Sequence, residues 1–187
     1  MALSFAGNGT ITGLSVGGLP DGTVDADTLA SGAGGKVLQV VSTTKSDTWD
    51  STTASWVDVT GMSVNITPSA TSSKILVTLN MMISQTGTTN RAYIRLVRDS
   101  TAIHIGDSAG SRQQGTAWVR GEGTSYTVEN FSVTYLDSPS STSALTYKAQ
   151  GGVFNSAGMA VNRDGDNSDG TWNLRGASTI TVMEISS

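Results

Sequence analysis

The sequence has no cysteine among its 187 residues, which excludes disulfides and thiolate-held metal modules as sources of stability. It has one histidine, His104, so a general base of the commonest kind has a single place to be. No stretch reaches the roughly 18 consecutive apolar residues of a membrane-spanning helix. The opening, MALSFAGNGT, has neither the basic nor the apolar region of a secretory signal, so neither a membrane partner nor signal-directed secretion is expected. Charge is scarce at 14% of residues, and its balance is acidic, 11 Lys and Arg against 15 Asp and Glu for a net −4. Without a cationic cluster the chain lacks the footprint of phosphate-backbone binding, and no nucleic-acid partner is expected.

Small hydroxyl residues are what the chain has in abundance: 26 Ser and 26 Thr, with 22 Gly beside them. Such a composition leads either to disorder or to many short strands joined by tight turns. Disorder goes with low hydrophobicity and high net charge, whereas 37% of these residues are apolar and they fall in runs. An all-β chain of one ordinary domain plus an appendage follows.

Residues 1–36 form the appendage. Phe5, Ile11, Leu14, Val16 and Leu19 stand singly among Gly, Asp, Ser and Thr, and the Gly17-Gly18 and Gly34-Gly35 pairs interrupt any regular element. The segment has no core of its own and reads as an extended N-terminal arm that orders against another copy of the chain or a larger assembly surface, with those five residues as its anchors. Residues 37–187 carry the strand signals. Lys74 to Ser84 alternates cleanly, with Ile75, Val77, Leu79, Met81 and Ile83 on one face and Leu76, Thr78, Asn80 and Met82 on the other. Arg91 to Arg98 sets Ala92, Ile94 and Leu96 against Arg91, Tyr93, Arg95 and Val97, and the polar segment from Gln85 to Asn90 joins the two runs.

Further strands are predicted at Val37–Val41, Ser55–Asp58 and Met62–Thr67 about a turn at Thr60-Gly61, Ala102–Ile105, Ala117–Arg120, Ser125–Leu136, Leu145–Ala149, Val153–Phe154, Gly158–Val161 and Ser178–Ile185. Roughly eight to ten strands without helical periodicity fit a two-sheet sandwich or jelly-roll-like domain. Leu76, Met82, Met183 and Ile185 give some strands a second apolar face, the pattern of a sheet covered twice, by a subunit interface or by the rest of a large sandwich.

The motifs with chemical potential have plainer explanations. Gly13-Leu14-Ser15-Val16-Gly17 matches the letters of a nucleophile elbow, but the strand before and helix after that give the motif its chemistry are missing. His104 with Asp107 has no pocket to act in, and Glu122, Glu129 and Glu184 do not form a legible carboxylate pair. The loop from Asp164 to Gly170 alternates oxygen donors at Asp164, Asp166 and Asp169, a weak candidate for a hard cation, yet its composition is that of any tight turn. No catalytic residue, metal or cofactor is assigned. Asn8, Asn65 and Asn130 begin glycosylation-type triplets that so many hydroxyl residues generate by chance. Of four tryptophans, Trp49 and Trp172 lie in polar surroundings and are the candidates for partner or glycan contact.

Three segments near the start of the body, Gly35-Lys36-Val37-Leu38-Gln39-Val40-Val41, Trp56 through Pro68 and Ser72-Ser73-Lys74-Ile75-Leu76-Val77, resemble the β-sandwich modules of tailed-phage virion proteins. Val161-Asn162-Arg163 and the run from Ser178 to Ile185 are similar to the closing loop and strand of those modules, and the stretch from Gly13 to Val24 is similar to attachment segments of phage fibre-type proteins. The resemblance implies a non-enzymatic homotrimer on the virion. Such modules serve as cement or decoration trimers on the outer capsid surface, bound to major capsid protein, or as distal domains of tail fibres and tailspikes at the tail periphery, in contact with host surface glycan. No heptad run, collagen-like repeat or β-helical array provides a fibre shaft, which places the capsid role first.

Overall fold

The computed structural model describes residues 4–5, 11–12, 36–86, 91–120, 127–154 and 158–186, the first two pairs as backbone. The chain divides into two compact units, residues 1–36 and 37–187. In the first, β1 (Ser4–Phe5) pairs antiparallel with β2 (Ile11–Thr12), Phe5 opposite Ile11. Leu14, Val16 and Leu19, and the Gly13–Gly17 match, lie outside the described residues.

The second unit is an all-β sandwich, and every strand pairing in it is antiparallel. One sheet holds β3 (Val37–Lys45), β4 (Trp49–Ser51), β6 (Lys74–Gln85), β10 (Val128–Asp137), β12 (Met159–Val161) and β13 (Ser178–Ile185). β6 is its spine, with β10 along one edge over Ile75 to Ser84. Its other edge is shared end to end by β13, over Lys74 to Asn80, and β12, over Ile83 to Gln85. β3 continues the sheet beyond β13, and β4 continues it beyond β12. The second sheet runs β5 (Val57–Ile66), β11 (Leu145–Val153), β7 (Arg91–Arg98), with β8 (Thr101–Ile103) and β9 (Ala117–Arg120) dividing the far edge of β7.

The alternation read from the sequence is what builds the core. Ile75, Val77, Leu79, Met81 and Ile83 of β6, with Ile180 and Val182 of β13, meet Ala92, Ile94 and Leu96 of β7, Tyr147 and Ala149 of β11 and Val64 of β5 in one buried cluster. Complete burial of such side chains contributes roughly 1.5–3 kcal/mol each, the main favourable term of this fold.

Three local predictions differ from the structure. β5 is one strand through Gly61: the expected turn is a bulge, where the register against β11 slips between Lys148 and Gln150 and Gly61 takes a φ of 84°. That left-handed conformation carries little strain only for glycine. β11 likewise runs unbroken through Gly151-Gly152, because the pair serves packing: a Cβ at Gly151 would stand 2.9 Å from Met159 Sδ and 3.3 Å from the Trp49 ring. His104 is not in a strand. β8 ends at Ile103, and His104 has a φ of 51° in an exposed turn, its ring 4.8 Å from that of Tyr135.

Two buried polar clusters hold the elements in place. Where β13 gives way to β12 along β6, Met82 N donates to Ser178 Oγ at 3.1 Å and Met82 O accepts from Asn162 N at 3.0 Å. Ser178 Oγ donates to Asn162 Oδ1 at 2.6 Å, and Asn162 Nδ2 donates to the carbonyls of Lys45 and Asp47. Asn162 is left-handed, with a φ of 63°, a conformation asparagine tolerates better than most residues. Between the sheets, the Asp137 carboxylate of β10 accepts from Tyr147 Oη and Arg98 Nη1, both at 2.6 Å. Burial and then the bond to Asp137 push the Tyr147 phenol well above its ordinary range, so it remains a donor.

Candidate functional site

The outer face of the first sheet is the strongest candidate for an assembly surface. Register sets its side chains in rows across β3, β13, β6 and β10. One row is Val40, Met183, Leu76 and Leu136; the next is Ser42, Thr181, Thr78 and Thr134; the third is Thr44, Thr179, Asn80 and Ser132. No position in these rows is charged. The apolar row stays open to solvent at its ends, Val40 at 55% and Leu136 at 52% exposure, with Val37 and Leu38 exposed beside it. The hydroxyl rows are internally bonded: Ser42 Oγ lies 2.8 Å from Thr181 Oγ1, and Ser132 Oγ donates to Asn80 Oδ1 at 2.6 Å.

Beneath the apolar end of this face lies the most tightly held charge in the described residues. Glu184 of β13 points inward, 1% exposed. Its Oε2 accepts from Gln39 Nε2 at 2.6 Å, and its Oε1 accepts from Ser69 N, Ser69 Oγ and Ser73 Oγ at 2.6–2.7 Å. Burial opposes ionisation, but the bonds from Gln39, Ser69 and Ser73 outweigh it and hold the carboxyl at about 2. A carboxylate with four donors anchors the corner between β5 and β6 to the edge of the sheet. Gln39, Ser73 and Glu184, like Asn162, are polar side chains that stitch one element to another.

The outer face of the second sheet has the opposite chemistry. Asp58, Gln150 and Arg95 stand in line across β5, β11 and β7: Arg95 Nε donates to Gln150 Oε1 at 2.8 Å, and Gln150 Nε2 donates to Asp58 Oδ1 at 2.7 Å. Lys148 Nζ donates to Asp58 Oδ2 at 2.8 Å, and that bond above all lowers the Asp58 pKa. Arg95 lies over the Trp56 ring at 4.6 Å. Beyond it come Tyr93 opposite Trp118 and Arg91 opposite Arg120, with Phe154 on the other flank of Arg91.

The residues singled out by sequence are scattered among these surfaces. Trp49 is half-buried in β4 with its ring packed on the core, and Trp172 is 80% exposed in the loop before β13. Asp164 is buried and its carboxylate accepts from Asn167 N at 2.7 Å, while Arg163 and Arg175 flank the same loop around a cavity of about 180 Å³. Among the described residues no group of three or more acidic or histidine side chains converges as a metal site. No hydrogen bond joins His104 to Asp107 among them. Sequence reasoning passed over Trp56, Trp118, Arg91 and Phe154; the available signal was the alternation of Arg91, Tyr93 and Arg95 along a strand whose other face is core.

No family model and no curated protein matches the chain. Among solved structures, it is similar to a protein in the structure of infectious bursal disease virus strain Gx, with 12% identity, 80% of this chain covered and a TM-score of 0.35. It is also similar to a mutant VP2 protein of infectious bursal disease virus from derived T=1 particles, with 17% identity, 78% covered and a TM-score of 0.34. The chain spans only 37% and 36% of the length of those two proteins.

Proposed function

We propose that this protein is a structural component of a tailed-phage virion, a cement or decoration homotrimer that binds the outer surface of the icosahedral head. The observation that carries the reading is the outer face of the first sheet, whose three central rows carry no charge, with Lys74 at its end bonded to Ser138. Identical copies can meet through rows of hydroxyl and apolar side chains without opposing like charges, whereas a net charge of −4 disfavours contact elsewhere. Of the segments resembling phage modules, those at residues 35–41, 72–77, 161–163 and 178–185 lie in or beside that sheet, and Trp56 through Pro68 supplies β5 of the other. Residues 1–36 then act as the attachment arm, with Phe5, Ile11, Leu14, Val16 and Leu19 contacting capsid protein or a neighbouring subunit. Three arms per trimer give tight binding even when each is weak, and binding to the assembled shell stabilises it by mass action.

A cryo-EM reconstruction of the intact particle tests this. Density for the sandwich at local threefold positions on the shell, with arms running onto capsid subunits, is the expected result. Density confined to the tail overturns the cement role. Deleting residues 1–19 should abolish capsid binding and leave a folded trimer, and capsid binding by the shortened chain removes the arm from the mechanism.

A second reading, a receptor-binding distal domain that contacts host surface glycan, is favoured by the exposed aromatic side chains on the second sheet, Trp118 at 58% and Phe154 at 46%. Sugar rings stack on such platforms.

A further inference from the structure

We infer that the outer face of the second sheet around Arg91 is a binding site for an acidic saccharide, a sugar ring bearing a carboxylate or phosphate; this deepens the glycan-contact reading and rests on it. Folding alone does not explain the charges on this face. Arg91 and Arg120 occupy directly opposed positions on β7 and β9, an arrangement that costs stability when nothing anionic lies between. Among the described residues no carboxylate stands within ion-pair distance of Arg91, Arg112 or Arg120, although Arg98 and Lys148 on the same sheet are paired with Asp137 and Asp58. Of the cations without an ion pair among the described residues, Arg91, Arg112 and Arg120 are gathered on one face of an acidic protein, whereas Lys74 and Arg175 stand apart from them.

Their setting is aromatic and concave. The Arg91 guanidinium lies 5.8 Å from the Trp118 ring centre and 6.0 Å from that of Phe154, held between two exposed rings. Tyr93 stands opposite Trp118, and Gly152, on the other side of Tyr93, leaves a gap in the row that Trp56 borders. Two adjoining cavities result, about 540 Å³ beside Arg91, Arg112 and Trp118 and about 330 Å³ over Gly152 and Trp56, sharing Tyr93, Gln113 and Phe154. Both volumes fall in the range of about 300–1,000 Å³ found for small-molecule sites.

Each feature matches one part of such a ligand. The flat C–H face of a pyranose covers Trp118 or Phe154, as apolar area on a rigid ring requires. A guanidinium oriented by stacking presents its planar fork to a carboxylate or phosphate. Gln113 supplies amide donors and an acceptor for ring hydroxyls. A nucleic-acid strand fits less well, since it needs a basic track along its length and the neighbouring row of this face ends in Asp58.

The test is calorimetric titration of the full chain with sialyllactose, trigalacturonate and a mannose phosphate, beside uncharged lactose and a short single-stranded oligonucleotide. Saturable binding of at least one acidic sugar but not of lactose is expected, weakening with added salt. Arg91→Ala and Trp118→Ala should each weaken it about tenfold or more, Arg91→Lys less, and Trp172→Ala not at all. All three positions are at the surface, and unchanged melting curves would confirm intact variants. Saccharide binding unaffected by Arg91→Ala and Trp118→Ala, or equal for lactose, overturns this site while leaving glycan contact standing. Absence of any saccharide binding overturns both, and preference for the oligonucleotide overturns the ligand class.

Discussion

The two outer faces of the sandwich are built on the same core and differ in almost every other respect. Across the centre of the first sheet, rows of Thr, Ser and apolar side chains run without a charge, and the carboxylates beside them, Glu184 and Asp137, are turned inward and hydrogen-bonded. Across the second sheet, Asp58, Lys148, Arg95, Arg91 and Arg120 all point outward, interleaved with aromatic rings. An uncharged hydrogen-bonding face suits contact with a copy of itself, because nothing on it repels its equivalent. A charged aromatic face suits a ligand of other chemistry, because its cations need a complement that this chain does not provide.

The sharpest way to break that contrast is to put a charge into the first face. Thr78→Arg stands at the centre of the hydroxyl rows and points away from the core, so the sandwich should fold while assembly is lost. Light scattering should give the monomer mass, whereas Arg91→Ala on the second sheet should leave the oligomer intact. Oligomers formed equally well by Thr78→Arg would place the interface elsewhere.

Next in size is the inward carboxylate. The Glu184 pKa is about 2 when folded against an ordinary 4.5, so the group adds stability that is full above about pH 4.5 and lost as pH falls toward 2. The loss should be about 3 kcal/mol by linkage, read from denaturant unfolding at a series of pH values. Glu184→Gln should lower stability at neutral pH by about 2–3 kcal/mol and flatten that acid limb.

Smaller effects follow between and on the sheets. Tyr147→Phe removes one of two donors to buried Asp137 and should cost about 1–2 kcal/mol in the same unfolding assay. Lys148→Ala removes a partly exposed ion pair with Asp58 and should change stability by no more than about 0.5 kcal/mol, and less in high salt. A cost for Lys148→Ala as large as that for Tyr147→Phe would mean that the charged face is as rigid as the interior.

Much of the fold was legible because strand sidedness is local. β7, β9 and β13 have the bounds that alternation predicts, and the inward residues of β6 are those the pattern assigned. Two of the errors fell on glycine. Gly61 and Gly151-Gly152 read as breaks, yet Gly61 makes a bulge, Gly151 makes room for Met159 and Trp49, and Gly152 lies against Ser55 and Trp56, uses that depend on partners distant in sequence. Trp49 read as a loop residue because β4 is three residues long and exists only by pairing with β12. The candidate surfaces were less legible still. Leu76 and Met183 were recognised as a second apolar face, but nothing in the chain order joins them to Val40 and Leu136.

By itself, then, the sequence determined the class: cysteine-free, weakly charged, rich in threonine and serine, with period-two apolar runs that can only be buried between sheets. Tertiary structure alone decided which strands became neighbours, and with that the make-up of both candidate surfaces. Gln39 reaches Glu184 across 145 positions of sequence, and Arg91 meets Trp118 and Phe154 from three separate strands and loops. The physical reason is that a strand's two faces are set by its own residues, whereas the rows that form a surface are set by register between strands, which no single strand encodes.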